Sequence, residues 1–193
     1  MKVIGLTGPT GAGKTIVAEF MNLPVVNADK VARTVHKDPE ILARLCQRFG
    51  EDIVSGGVLN RTILASRAFA TREDTDALNA IMHPAILQSI EQELKALEQV
   101  GEPYCLLDAP LLFEANCYQL CHEIVGVLAP FKLRETRIME RDGIPMELAE
   151  KRMAAQPDDG YYQDRCHYIL VNNGDICELQ KDVEALKEKL IKE

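Results

Sequence analysis

The sequence predicts an α/β fold built on a parallel sheet covered by helices on both faces. Three observations carry that expectation. Short apolar runs alternate with helical stretches along the chain. The first run, Val3 to Leu6, leads directly into Gly8-Pro9-Thr10-Gly11-Ala12-Gly13-Lys14-Thr15. A helical stripe of Ile16, Val17, Phe20 and Met21 then follows. Strand, glycine-rich loop and helix in that order form the context in which a GxxxxGK[ST] segment binds phosphate.

The remaining elements follow in order. Pro24 closes the first helix, and Val25-Val26-Asn27 reads as a second strand. From Ala28 to about Val100 the apolar spacing is helical: Val31 and Val35, then Ile41, Leu42, Leu45 and Phe49, then Ile63, Leu64 and Phe69. Gly56-Gly57 marks a turn within this stretch. Leu78, Ile81 and Met82 lead to His83-Pro84, where the helix is expected to break. Pro84 then suits the first turn of a new helix carrying Leu87, Ile90, Leu94 and Leu97. Tyr104–Asp108 and Ile124–Leu128 are the third and fourth strands. A charged helix runs from Phe131 to Asp142 and stops at Gly143, and another covers Met146 to Ala155. Tyr168–Val171 is the fifth strand. Asp175 and Glu178 form a capping box for a last helix, whose stripe is Ile176, Leu179, Val183, Leu186 and Leu190.

With 193 residues, the chain suits one domain with a large core and an insertion. The expected division is a core of 1–28, 101–130 and 157–193, a helical insertion at about 29–100, and a lid at about 131–156. Hydrophobic residues make up 47% and charged residues 27%, an ordinary globular balance. A net charge of -8 argues against a general nucleic-acid or anionic-membrane surface. No apolar run is long enough for a membrane span or a signal segment, so a cytoplasmic location is expected. The six cysteines show no CxxC spacing and read as reduced thiols. Cys117, Cys121 and His122 lack a second ligand pair for zinc.

Several residues carry candidate chemistry. Glycines 8, 11 and 13 let backbone N–H groups close on phosphate oxygens. Lys14 brings a point charge to the terminal phosphates, and Thr15 offers a hydroxyl to Mg²⁺. Gly8, Gly11, Ala12, Gly13, Lys14 and Thr15 are therefore the expected ATP contacts. Asp29, past the second strand, is placed either to take a proton from an acceptor hydroxyl or to cap a helix. Asp108 ends the third strand, where a carboxylate holds metal-bound water, faces the substrate, or simply terminates the strand. Arg134, Arg137 and Arg141 share one helical face, and Arg152 lies beyond the Gly143 turn. The arrangement suits a closing lid that brings guanidinium groups to a migrating charge, or a solvated face paired with Glu135 and Glu140.

These motifs together resemble the dephospho-coenzyme A kinase family along nearly the whole chain. The resemblance rests on Ile4 through Thr15; on Asn27-Ala28-Asp29 followed by Lys30-Val31-Ala32-Arg33; on Leu59-Asn60-Arg61 and His83-Pro84; and on Asp108-Ala109-Pro110-Leu111-Leu112-Phe113-Glu114. It continues with Arg137, Arg141, Arg152 and Gln156, and ends at Asn172-Asn173-Gly174. It implies a P-loop nucleotide-kinase fold with a five-stranded parallel sheet, a lid and a helical coenzyme A domain. It also implies phosphorylation of the ribose 3′-hydroxyl of dephospho-CoA by ATP with Mg²⁺, in a monomer or weak homo-oligomer. Asp29 becomes the catalytic base. Arg61 and His83 fall near the acceptor, Arg137 and Arg141 over the phosphates, and Asn172 near adenine. Without the resemblance, Arg61 and His83 read equally as surface and structural residues.

The sequence departs from the family pattern at three places: Asn27 for the usual Asp, Pro9-Thr10 for the commoner Gly-Ile, and Val171 for an acid. The alternative is another P-loop small-molecule or nucleoside kinase. The loop is also similar to that of tRNA prenyltransferases, but a net charge of -8 suits tRNA poorly. No Asn-Lys-x-Asp guanine signature or Leu-Ser-Gly-Gly-Gln segment is present, which argues against a GTP switch or an ABC-type ATPase.

Overall fold

Residues 1–192 are described by a computed structural model. Among the described residues, seven strands and nine α-helices follow one another in chain order. The first four are β1 (Lys2–Thr7), α1 (Lys14–Met21), β2 (Val25–Asn27) and α2 (Ala28–Val35). Next come α3 (Pro39–Phe49), β3 (Val54–Ser55), β4 (Val58–Leu59), α4 (Arg61–Ala68) and α5 (Arg72–Gln99). Then follow β5 (Tyr104–Asp108), β6 (Glu123–Leu128), α6 (Phe131–Asp142), α7 (Met146–Ala154) and α8 (Asp159–Gln163). The last two are β7 (Tyr168–Val171) and α9 (Ile176–Lys192). β3 and β4 form a small antiparallel hairpin around the expected Gly56-Gly57 turn. The other five strands form one parallel sheet in the order β2-β5-β1-β6-β7.

The sheet is buried on both faces, and the period of two sorts its residues. Val3, Cys105, Leu107 and Ile124 face the core shared with α2 to α5. Ile4, Leu6, Leu106, Val125, Val127 and Leu170 face α1 and α9. The α9 stripe begins at Leu179, because Ile176 is 45% exposed. Asp175 Oδ1 accepts from the N–H groups of Cys177 and Glu178, the expected cap. At the other end of α9, Lys2 Nζ donates to Leu190 O at 3.0 Å, and the Tyr104 hydroxyl donates to Ile191 O at 2.6 Å. Two late carbonyls that lack helical partners are thereby satisfied.

The helical insertion corrects one expectation. α5 is a single helix of 28 residues that runs straight through Pro84. A proline there removes the N–H that would reach the Ala80 carbonyl, at a cost of about 3 kcal/mol. Ala80 and Pro84 are both exposed, so water can take the freed carbonyl. Ile81 and Met82 before the proline, and Ile90 and Leu94 after it, are buried in one core. Burying four large side chains at about 1.5–3 kcal/mol each outweighs the lost bond. Phe69 is a second correction. It is the C-cap of α4 and is 65% exposed, while Leu64 and Ala68 bury that helix.

α6 and α7 fold against each other around a small apolar cluster of their own: Ile138, Ala149 and Met153. Gly143, at φ 62°, makes the turn between them. The two helices coincide with the stretch expected as a lid. Among the described residues, no helix is long and apolar enough to cross a membrane.

Candidate active site

Ligands of open parallel sheets bind where the strands end at their carboxyl termini. That end here is a cleft of about 560 Å³. Its walls come from Thr10, Gly11, Gly13, Lys14, Thr15 and Ile16 after β1, from Asn27 and Asp29 at the end of β2 and just past it, from Asp108 and Pro110 at the end of β5 and just past it, and from Arg137, Arg141 and Gln156. Asp29, Asp108, Lys14, Thr15, Arg137 and Arg141, which were far apart in the sequence, therefore share one cavity.

The loop owes its shape to glycine. Gly8 has φ 142°, and a Cβ there would run into the Val127 carbonyl of β6. Gly13 has φ 98°, and its Cβ would meet the Asn172 amide. α1 starts without a side-chain cap, so its first N–H groups stay open to the cleft. Lys14 Nζ folds back to the Gly8 carbonyl at 2.8 Å. Burial lowers the Lys14 pKa; the Asp108 and Asp29 carboxylates oppose that, and Arg141 adds to it.

Of the two readings of Asp29, the structure overturns the helix cap. The N-cap of α2 is Asn27, whose Oδ1 accepts from the Lys30 N–H at 2.9 Å. Asp29 sits in the first turn, exposed, on the cleft wall. Asn27 does a second job with its other end: Nδ2 donates to Asp108 Oδ2 at 2.9 Å. Asp108 Oδ1 is buried and has no hydrogen-bond partner among the described residues. Burial pushes the Asp108 carboxyl above its ordinary value. Lys14 pulls it down, Asp29 pushes it up, and the Asn27 amide pulls it down.

Arg137 and Asn172 brace the loop. Arg137 Nη1 donates to the carbonyls of Gly11 and Ala12 at 3.1 and 3.4 Å. Its Nη2 donates to Asn172 Oδ1 at 3.0 Å. Asn172 is fully buried. Its Nδ2 donates to Ala12 O at 3.0 Å, and its Oδ1 also accepts from Gly174 N at 3.2 Å. Both polar ends of Asn172 are thus used inside the protein. Sequence reasoning assigned no contact to Thr10, whose N–H donates to Gln156 Oε1 at 2.8 Å and ties the segment after α7 to the loop.

The arginines of α6 part company. Arg141 lies on the cleft. Arg134, on the same face by spacing, turns to Asp159 of α8 at 3.5 Å. Glu135, expected as a solvated partner, is buried and holds Lys132 at 3.0 Å. Arg61 and His83 are outside the cleft walls. Arg61 is exposed at the start of α4, and its charge helps to lower the pKa of His36, for which burial is the main cause. His83 is partly buried within α5, and burial holds its imidazole pKa down. Cys117 and Cys121 donate their thiols to the Ala115 and Cys117 carbonyls, and His122 Nδ1 accepts from Val3 N.

The chain is similar to known proteins along almost its whole length. The family model for dephospho-CoA kinase matches residues 2–178. A dephospho-CoA kinase of Syntrophotalea carbinolica is 36% identical over 196 residues, covering 99% of this chain and 93% of that protein. One from Wolinella succinogenes is 35% identical, covering 98% and 95%. The solved dephospho-CoA kinase of Campylobacter jejuni superposes with a TM-score of 0.72 at 22% identity, covering 98% of each chain, which shows the fold. A P-loop kinase fold with its loop, carboxylates and arginines in one cleft, together with matches along almost its full length, places this chain in the dephospho-CoA kinase family, the kinases of the last step of coenzyme A biosynthesis.

Proposed function

We propose that this chain transfers the γ-phosphoryl group of ATP to the ribose 3′-hydroxyl of dephospho-CoA, with Asp29 as base. The observation that carries the reading is the meeting of Asp29, Asp108 and Lys14 in one cleft at the mouth of the phosphate loop. The N–H groups of Gly11, Gly13, Lys14 and Thr15 hold the β- and γ-phosphates, and Lys14 swings from the Gly8 carbonyl onto their oxygens. Asp29 orients the acceptor hydroxyl and takes its proton as the new O–P bond forms and the bond to the β-phosphate oxygen breaks. In a loose transition state this carboxylate mainly positions the nucleophile. Arg141 and Arg137, both on the cleft wall, offset the charge on the migrating group.

The donor set suits Mg²⁺. Asp108 presents a buried, unpartnered oxygen, and Thr15 presents a hydroxyl at the cleft. When bound with the nucleotide, Mg²⁺ neutralises charge on the phosphate oxygens. Asp108 and Thr15 would hold it, while Asn27 keeps Asp108 turned.

The reading assigns residues 29–100 to the acceptor, with Arg61 and His83 on that side. It assigns 131–156 to the lid, and 1–28, 101–130 and 157–193 to the core, with Asn172 serving the nucleotide by supporting its loop. It includes a cytoplasmic enzyme, monomeric or weakly self-associating, with no nucleic-acid or membrane partner. The test is ADP release coupled to a reporter, with ATP, Mg²⁺ and either dephospho-CoA, adenosine, shikimate or gluconate. Coenzyme A identified by mass as the product supports the reading. Turnover with another acceptor and silence with dephospho-CoA would replace it with a different small-molecule kinase.

A further inference from the structure

α6 ends in Arg141-Asp142, and Gly143 turns the chain into α7. A carboxylate on the last residue of a helix stands at the negative end of the helix dipole, where a cation is favoured. Asp142 is therefore poorly suited to its own helix, and its contacts show what offsets that. Arg141 donates through Nε to Oδ1 at 2.7 Å and through Nη2 to Oδ2 at 2.9 Å. Arg152, from α7, donates through Nη1 to Oδ2 at 2.5 Å. One carboxylate thus joins two guanidinium groups that would otherwise repel each other, and it ties α6 to α7.

The consequence falls on Arg141. Its side chain is 61% exposed, and Asp142 is the hydrogen-bond partner that holds its guanidinium. A free arginine has about 2 kcal/mol of rotamer entropy to lose before it can meet a ligand. Held by two parallel bonds, it has already given up much of that freedom. Arg141 reaches the cleft and acts on Lys14 electrostatically, whereas Arg152 is outside the cleft walls. The lid has its own apolar cluster of Ile138, Ala149 and Met153, so packing besides Asp142 holds α6 against α7.

We propose that Asp142 is a positioning residue of phosphoryl transfer: it fixes the Arg141 guanidinium over the cleft and makes Arg141 and Arg152 move as one unit with the lid. The proposal rests on the reading of Arg141 as a residue that meets the migrating phosphoryl group.

The test is a kinetic cycle of wild type, Arg141→Ala, Asp142→Ala and the double variant, on whichever acceptor the wild type phosphorylates, with melting temperatures alongside. Asp142→Ala should lower kcat by about 10- to 100-fold, the scale of a misplaced catalytic contact. KM for both substrates should stay within about threefold and the melting temperature within about 2 °C. The double variant should be no slower than Arg141→Ala alone, because Asp142 acts through that side chain. Asp142→Asn, which keeps one acceptor oxygen, should fall between wild type and Asp142→Ala. Independent, multiplicative losses in the double variant would overturn the proposal, as would an Asp142→Ala enzyme at wild-type kcat. If Arg141→Ala alone kept wild-type kcat, the reading of Arg141 would fail. A slowed Asp142→Ala beside it would then show that Asp142 acts by another route.

Discussion

Asn172→Ala tests whether the buried asparagine supports the phosphate loop or reads the nucleotide base. Three hydrogen bonds are lost together: Asn172 Nδ2 to Ala12 O, Gly174 N to Oδ1, and Arg137 Nη2 to Oδ1. Two are neutral, worth about 1 kcal/mol each, and the guanidinium bond is worth about 1.5–3 kcal/mol. Arg137 keeps Gly11 O, and Ala12 O keeps a longer bond from Arg137, so part of the loss is recovered. A net cost of about 3 kcal/mol follows, which for a domain of this size lowers the melting temperature by about 6–12 °C. The assay is thermal unfolding of the purified variant, followed by ATP and GTP kinetics. The brace predicts a raised KM for ATP and an unchanged preference for ATP over GTP, because both polar ends of Asn172 are used inside the protein. A melting temperature within about 2 °C of wild type would refute the brace. An altered ATP-over-GTP preference at unchanged stability would mean that Asn172 reads the base.

The other predictions concern the carboxylates, the lysine and the irregular helix. Asp29→Asn should lower kcat by at least about 100-fold while KM for ATP stays within about twofold, as measured by ADP release. Retention of most of the turnover would remove Asp29 as base. Lys14→Ala should abolish transfer and weaken nucleotide binding in a fluorescent-ATP titration; tight binding with full turnover would contradict the phosphate-loop reading. Pro84→Ala restores a donor to the Ala80 carbonyl and should raise the melting temperature by several degrees. A lower value would show that the packing of α5 needs the proline. Asn27→Asp removes the donor to Asp108 and sets a second carboxylate about 2.9 Å away. Like charges raise a carboxyl pKa in the folded state, so the added destabilisation is full above that raised value and fades as pH falls toward 3.8. The variant should therefore lose more melting temperature at pH 7.5 than at pH 5, and an equal loss at both would refute the charge account.

The strands of the main sheet were legible because each is a short apolar run on a sheet buried on both faces, with punctuation close by: Gly8 after β1, Pro24 before β2 and Pro103 before β5. α6 and α7 were legible from the stop and turn at Gly143. Elements too short to show a period were missed: the β3–β4 hairpin, with two residues a strand, and the five-residue α8. α5 was misread because the rule for proline is local, whereas the exposure of Ala80 and Pro84 is set by tertiary packing. Helical spacing correctly put Arg134 and Arg141 on one face, yet it carries no information about what packs there, and Asp159 claims Arg134.

Asn27 shows how a departure from a family pattern acquires meaning only with coordinates. From the sequence it is a lost carboxylate beside Asp29. In the fold it holds two neighbouring carboxylate-bearing segments at once. Its oxygen caps the helix that carries Asp29, and its nitrogen holds one oxygen of Asp108 while the other stays unpartnered. An aspartate at this position could still cap the helix, since Asp and Asn serve equally at that position. It could not donate to Asp108 without first taking a proton. The amide therefore retains the capping function and gives Asp108 a donor where the usual residue would give it a like charge. It does so in a cleft where burial already pushes the Asp108 carboxyl up, and where Lys14 and Asn27 are the partners that oppose that shift.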